Sequence, residues 1–379
     1  MTAAPGRPDP AAGEGPEPGG PDPAAFAELL AGYCLDVQPG QQVLLRASAL
    51  AAPLLLELQR AVLARDAWPL LRVELPGATA AFYRHARDRH LDDVADLALQ
   101  EARRADATLG IQAPENTRAL AGIDPERLAR AARARKPVRE ATLKRRWCTT
   151  LWPTQANAQE AGMDLAAFGA FVRRALFLDQ PDPVRAWGEL RAFQAALIER
   201  LSRARELRLE AEGTDLTLSV KGRTWVNSDG RRNMPSGEVF TGPHETSADG
   251  RVRFDIPSSP AGVDVSGVAL TFRAGAVVEA TAERGEDHLR QALRTDAGAG
   301  RLGEVGIGTN FGIHRPVGAI LFDEKIGGTV HLALGRSYPE TGGKNESALH
   351  WDLICDLRRG GRLTADGEVV QADGRFVVA

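Results

Sequence analysis

Residues 42–75 read QVLLRASALAAPLLLELQRAVLARDAWPLLRVEL. Gln42–Arg46 is a short apolar run of strand length, Leu50–Leu63 is apolar at helical spacing, and Pro69–Leu75 is a second run of strand length. Asp106-Ala-Thr-Leu-Gly-Ile-Gln112 repeats the strand signature after further helical segments. Short apolar strands separated by helices predict βαβ units and a largely parallel sheet. Ala25–Cys34 reads as a helix ahead of it, and residues 164–205 are dominated by helical periodicity. After Arg205 the texture changes. Glu206–Glu210 and Leu216–Val220 read as strands, Gly becomes frequent, and Asp366-Gly367 and Asp373-Gly374 have the chemistry of hairpin turns. The fold class expected is α/β, with an N-terminal α/β domain and its largely parallel sheet over residues 24–205. A mixed α+β domain follows over residues 206–379.

A chain of 379 residues has room for two or three domains. With 47 Lys and Arg against 50 Asp and Glu, the formal charge is −3, so no nucleic-acid or anionic-membrane partner is expected. The most apolar window, Ala49–Leu58, is interrupted by Pro53 and Glu57, so no membrane span is expected either. Three cysteines, Cys34, Cys148 and Cys355, are far apart and form no CxxC, which argues against a disulfide framework and a thiolate zinc site. With no basic-then-apolar leader at the N-terminus, the expected location is the cytoplasm. Residues 1–23 hold 7 Pro and 5 Gly and read as a disordered tail. The run Arg127–Arg146 is rich in Arg but broken by Pro137 and free of aromatics, so it reads as a solvated helical face. Only five basic residues are Lys, and two of them, Lys325 and Lys344, lie near the C-terminus.

Familiar nucleotide and zinc motifs fail. Gly303-Glu-Val-Gly-Ile-Gly308 does not match GxGxxG, and His244-Glu245 is half of a HExxH pattern with Ala248 where the second His belongs. Two strand-like segments are more informative. In Ala348-Leu-His-Trp-Asp-Leu-Ile-Cys355 the period of two puts Ala348, His350 and Asp352 on one face, and Leu349, Trp351, Leu353 and Cys355 on an apolar one. In Thr329-Val-His-Leu-Ala-Leu-Gly335 it groups His331 with Thr329, Ala333 and Gly335, opposite Val330, Leu332 and Leu334. Two imidazoles on small-residue faces with carboxylates nearby suit a mixed N/O metal site. By residue type alone Glu238 and Glu304 would face solvent, and Lys325 and Lys344 would either pair with carboxylates or lie on the surface.

Longer motifs then bear on the family. Asn233-Met-Pro-Ser-Gly-Glu-Val-Phe-Thr241, Leu302-Gly-Glu-Val-Gly-Ile-Gly-Thr-Asn310, Leu321–Gly335, Ser337-Tyr-Pro-Glu-Thr-Gly-Gly343 and His350-Trp-Asp352 closely resemble the thermophilic aminopeptidases, the aminopeptidase T-like metallopeptidases. Gly32–Gly40 and Ala113–Arg118 extend the resemblance over nearly all of the chain after the tail. It implies a cytosolic, homodimeric exopeptidase acting on small peptides with a free N-terminus, with two divalent ions (Zn, Co or Mn) in the C-terminal domain. Carried over by motif, Glu238 is a ligand of one metal, Glu304 a bridging carboxylate, and His331, His350 and Asp352 complete the shells. Glu324 is a further ligand or a catalytic carboxylate, and Tyr338 is the active-site tyrosine. Paired divalent ions lower the pKa of a shared water and stabilise a tetrahedral oxyanion, which is what peptide hydrolysis at neutral pH requires. A dipeptidase, another metal-dependent amide hydrolase, and a non-catalytic binding protein with the same fold remain as alternatives. The sequence departs from the family at Ser258-Ser-Pro-Ala-Gly262, where a more aromatic loop is expected, and in its Pro-rich tail.

Overall fold

The computed structural model describes residues 19–377, so most of the expected N-terminal tail, residues 1–18, lies outside the described residues. Asp22 is already part of the fold. Its carboxylate accepts from Ala25 N at 2.8 Å and caps a helix over Pro23–Glu28. That helix widens into a π-helix over Leu29–Cys34, where a single α-helix was expected, and the wider turns bury Leu29, Leu30, Ala31 and Cys34.

The described residues fall into two compact units, 19–184 with 230–235, and 185–229 with 236–377. The first is built on a parallel sheet. Strand β1 (Gln42–Ser48) lies between β2 (Trp68–Glu74) and β3 (Ala107–Gln112); β4 (Arg146–Leu151) follows β3, and Asn233–Met234 adds a short fifth strand. All four pairings are parallel, as the alternation of strands and helices predicts. Val43, Leu44 and Leu45 are buried because they meet helix side chains as well as neighbouring strands. The helix Ala52–Leu63 contributes Leu54, Leu55, Leu58 and Val62 to this core. The Arg-rich run forms the helices Pro125–Ala134 and Lys136–Leu143 and enters β4 at Arg146. Pro137 opens the second helix, where its missing N–H is harmless.

The second unit holds two antiparallel sheets. One has eight strands and runs from Ala276–Thr281 at one edge to Arg375–Phe376 at the other. Both Asp-Gly pairs make its hairpin turns, with Asp366, Gly367, Asp373 and Gly374 all at positive φ. The other sheet has five strands in the order His350–Asp356, Thr329–Gly335, Leu302–Gly308, Glu238–Thr241, Val226–Ser228. Its inner face supplies Val239, Val305, Ile307, Val330, Leu332, Leu334 and Leu353 to a core shared with Leu207, Leu216 and Phe272 of the eight-stranded sheet. Leu197 and Leu201, from the helix Pro183–Leu201, close the same core. Cys34, Cys148 and Cys355 are all buried and none is in a disulfide among the described residues. No helix among the described residues is long and apolar enough to cross a membrane.

Leu332 is fully buried at the middle of this core. Leu332→Ala is expected to lower the unfolding free energy by about 2–5 kcal/mol, read as a reduced denaturation midpoint.

Candidate metal centre

The five-stranded sheet alternates as its sequence demands. Opposite the core face, adjacent strands align Glu304 with Ala333 and Ala333 with Asp352, so the two carboxylates flank a methyl group. Gly306 lies opposite His331, and Glu238 opposite Gly308. The small residues have a steric purpose here. A Cβ on Gly306 would come within 2.1 Å of the His331 ring, so only glycine leaves space for the imidazole.

These registers gather five of the expected ligands. One oxygen of Glu304 lies 3.4 Å from His331 Nε2, and its other oxygen lies 3.5 Å from His350 Nε2. Glu238 Oε2 is 3.5 Å from His331 Nε2, and Asp352 Oδ1 is 3.6 Å from His350 Nε2. Two triads result, Glu238–Glu304–His331 and Glu304–His350–Asp352, with candidate ligand atoms of each within 4.8 Å of one another. Glu304 belongs to both. Each imidazole is held from behind, His331 Nδ1 at 3.0 Å from the Glu324 carbonyl and His350 Nδ1 at 2.8 Å from the Arg336 carbonyl. A ring that donates Nδ1–H to a carbonyl presents Nε2 as its metal-binding atom.

Glu238 and Glu304 are 4% and 5% exposed, contrary to the solvent-facing position their residue type suggests. Glu324 and Tyr338 sit beside the triads without joining them. Glu324 contacts the Lys325 ammonium, and the Tyr338 ring lies 5.2 Å from that of His350 and 5.5 Å from that of Phe240. The two lysines separate. Lys344 is exposed, whereas Lys325 has no exposed surface, with its Nζ 3.6 Å from Glu238 Oε1 and against Glu324. The rest of the Asp323-Glu-Lys325 motif is also accounted for. Asp323 accepts from Val317 N and Gly318 N at 2.8 and 2.9 Å and shapes the preceding loop. At the departing loop, Ser258 Oγ accepts from Trp351 Nε1 at 2.7 Å, fixing a core residue between His350 and Asp352.

Electrostatics explain what this cluster requires. Burial pushes Glu238 up to about 7 against the pull of Lys325, and burial and Glu324 push Asp352 up to about 6. Burial opposes protonation of His331, but the hydrogen bond to Glu304 and the charges of Glu238, Glu304 and Asp352 outweigh it and raise it to about 10. Burial and the same carboxylates hold the Tyr338 phenol well above its ordinary value, so it stays a hydrogen-bond donor. Glu238 Oε2 is buried and has no hydrogen-bond partner among the described residues. Acidic oxygens packed around imidazoles need positive charge between them, and protons or divalent cations are the two ways to supply it. The all N/O donor set, with no sulfur, fits zinc, cobalt or manganese equally.

The comparisons with known proteins agree with a metal-binding role. The family model for thermophilic metalloproteases (M29) matches residues 23–376. Aminopeptidase 2 of Geobacillus stearothermophilus is 32% identical, aligned over 90% of this chain and 94% of that protein. The structure of wild-type AmpT from Thermus thermophilus superposes with a TM-score of 0.81 at 26% identity, covering 94% of this chain and 99% of that one. A 2,5-dihydroxypyridine dioxygenase from Pseudomonas putida KT2440 matches with a TM-score of 0.56 at 16% identity, over 94% and 97% of the two chains, a likeness of fold alone.

Two outcomes test the site. Ligation requires deprotonated groups, so metal affinity is expected to rise with pH from 6 to 10, as Asp352, Glu238 and then His331 lose their protons. Titration calorimetry at pH 8 in buffers of different ionisation enthalpy should then record about one proton released per chain on metal binding, from His331. Gly306→Ala should lower metal content by displacing the His331 ring, with the circular dichroism spectrum unchanged.

Proposed function

The chain belongs to the M29 family of thermophilic metalloproteases, and from that premise we propose that it is a metal-dependent aminopeptidase releasing N-terminal residues from small peptides. The observation that carries the reading is the pair of triads sharing Glu304, whose two oxygens face two different imidazoles. A carboxylate so placed is suited to bridge two cations. In this reading Glu238 and His331 would hold one ion, His350 and Asp352 the other, and Glu304 would serve both.

Bound divalent ions, zinc, cobalt or manganese, would supply Lewis acidity and an activated water. The chain's own groups do the rest. Glu324, at the edge of the cluster, takes the proton from the attacking water and returns it to the leaving amine, or serves as a further ligand. Tyr338, protonated throughout the working pH range, donates a hydrogen bond to the developing oxyanion. Lys325 lies against both Glu238 and Glu324 and supplies positive charge to the pair. The site's acidic walls also favour a substrate that brings a free α-ammonium, which accounts for cleavage at the N-terminus. A cytoplasmic homodimer completes the proposal, with the metal-binding catalytic domain after residue 206 and the α/β domain before it.

Chelation is expected to abolish hydrolysis of an aminoacyl reporter, and added cobalt or zinc to restore it. The N-acetylated reporter should remain uncut, and peptides of three or more residues should be shortened one residue at a time, which separates an aminopeptidase from a dipeptidase. Glu304→Ala should reduce turnover to background with the fold retained. Full metal-dependent activity in that variant would refute the bridging assignment.

A further inference from the structure

A cavity of about 910 Å³ opens on the carboxyl-terminal half of the parallel sheet, lined by residues that include Arg46, Ser48, Arg72, Glu74, Gly110 and Thr149. Its position is informative. The chain leaves β1 for β2 on one side and later arrives at β3 on the other, so connections reverse direction between β1 and β3. Open α/β sheets bind ligands outside the carboxyl ends of their strands at such a reversal. The volume lies within the range of small-molecule sites.

The side chains there are out of character for a parallel sheet, whose two faces are normally apolar. Register aligns Arg72, Arg46, Gly110 and Thr149 in one row across the strands, and Glu74 beside Ser48 two residues further on. Both guanidiniums converge on Glu101 of the helix Asp96–Arg104, at 2.8 Å from Arg46 and 2.6 Å from Arg72. Two cations on one carboxylate leave a positive charge unmatched. Arg46 Nε is buried with no hydrogen-bond partner among the described residues, a donor whose burial is costly until something accepts from it. Glu74 shares a face with Arg72 about 7 Å along the strand and returns one negative charge. With Glu101 behind the two arginines counted, the charges cancel, and the lining itself is polarised, cationic at Arg46 and Arg72 and anionic at Glu74. Gly110 keeps the floor open, since a Cβ there would meet only Thr149 Oγ1, at 3.8 Å. Leu75, also lining the cavity, is 68% exposed and offers apolar surface beside the charged groups.

We propose that this cavity binds a zwitterionic amino acid or short peptide, with its carboxylate on Arg46 and Arg72 and its ammonium on Glu74. A phosphorylated ligand is disfavoured, because Glu74 and Glu101 oppose a second negative charge. The ligand belongs to the same chemical class as the products of the hydrolysis proposed above. Binding here needs no turnover, so the two readings fail separately.

Calorimetric titration of the metal-loaded full chain with free leucine tests it, with 3-methylbutylamine, N-acetylleucine and inorganic phosphate for comparison. Saturable leucine binding is expected, weaker by about ten-fold or more for 3-methylbutylamine, which lacks the carboxylate, and for N-acetylleucine, which lacks the ammonium. Arg72→Gln and Gly110→Val should each weaken leucine by a similar factor. The first alters a side chain that is 59% exposed, and the second places a Cβ in open space, so both variants should melt like the parent. Leucine affinity unchanged in both variants would place the ligand elsewhere and overturn the proposal. Equal binding of leucine and 3-methylbutylamine, displacement of leucine by equimolar phosphate, or no saturable leucine binding would each do the same.

Discussion

Glu304 is the group on which the second unit turns. It is buried, and its two oxygens face His331 and His350, which come from different strands. A carboxylate removed from water is tolerated only where positive charge or hydrogen bonds replace its hydration. The neighbours are tuned to that need. Carbonyls of Glu324 and Arg336 fix the two rings from behind, and Lys325 balances part of the charge of Glu238 and Glu324. The cluster therefore specifies the sheet register as much as the sheet positions the cluster. A slip of one residue in Leu302–Gly308 would turn Glu304 into the apolar core and Val305 out of it.

The pattern of small residues follows from the same constraint. Gly306 exists to admit the His331 ring, and Ala333 separates Glu304 from Asp352 without filling the space between them. Both positions would otherwise suit β-branched residues, which pack better in a strand. Packing is given up on one face of the sheet, while Val305, Ile307, Val330, Leu332 and Leu334 keep the other face dense.

Much of this was legible in the chain alone. The strand-and-helix alternation around residues 42–75 yields the parallel sheet because a period of two and a period of 3.6 are local properties. The faces of His331, His350 and Asp352 follow from alternation within single strands. Burial of Glu238 and Glu304 was not legible by residue type, since it depends on partners from other strands and entered only through the family motifs. The π-helical turn at Leu29–Cys34 escaped for a related reason: its apolar residues are compatible with an ordinary helix. Pro137 breaks the Arg-rich run as its chemistry requires: one helix ends at Ala134 and the next starts at Lys136, with Pro137 in its first turn.

Lys325 shows how residue choice can be decided by geometry that sequence leaves open. By pattern it was indistinguishable from Lys344, yet only Lys325 is enclosed. The chain uses Arg for most of its cations, so Lys at this position calls for a reason. A guanidinium is a planar fork that binds both oxygens of a carboxylate at once, whereas an ammonium is a compact point charge. Lys325 lies near Oε1 of Glu238 and leaves Oε2 without a hydrogen bond, facing His331. Arg in the same slot would claim both oxygens and silence Glu238 as a ligand. A single point charge contacts the carboxylate at one oxygen and leaves the other available, which is the condition a buried metal-binding glutamate has to meet.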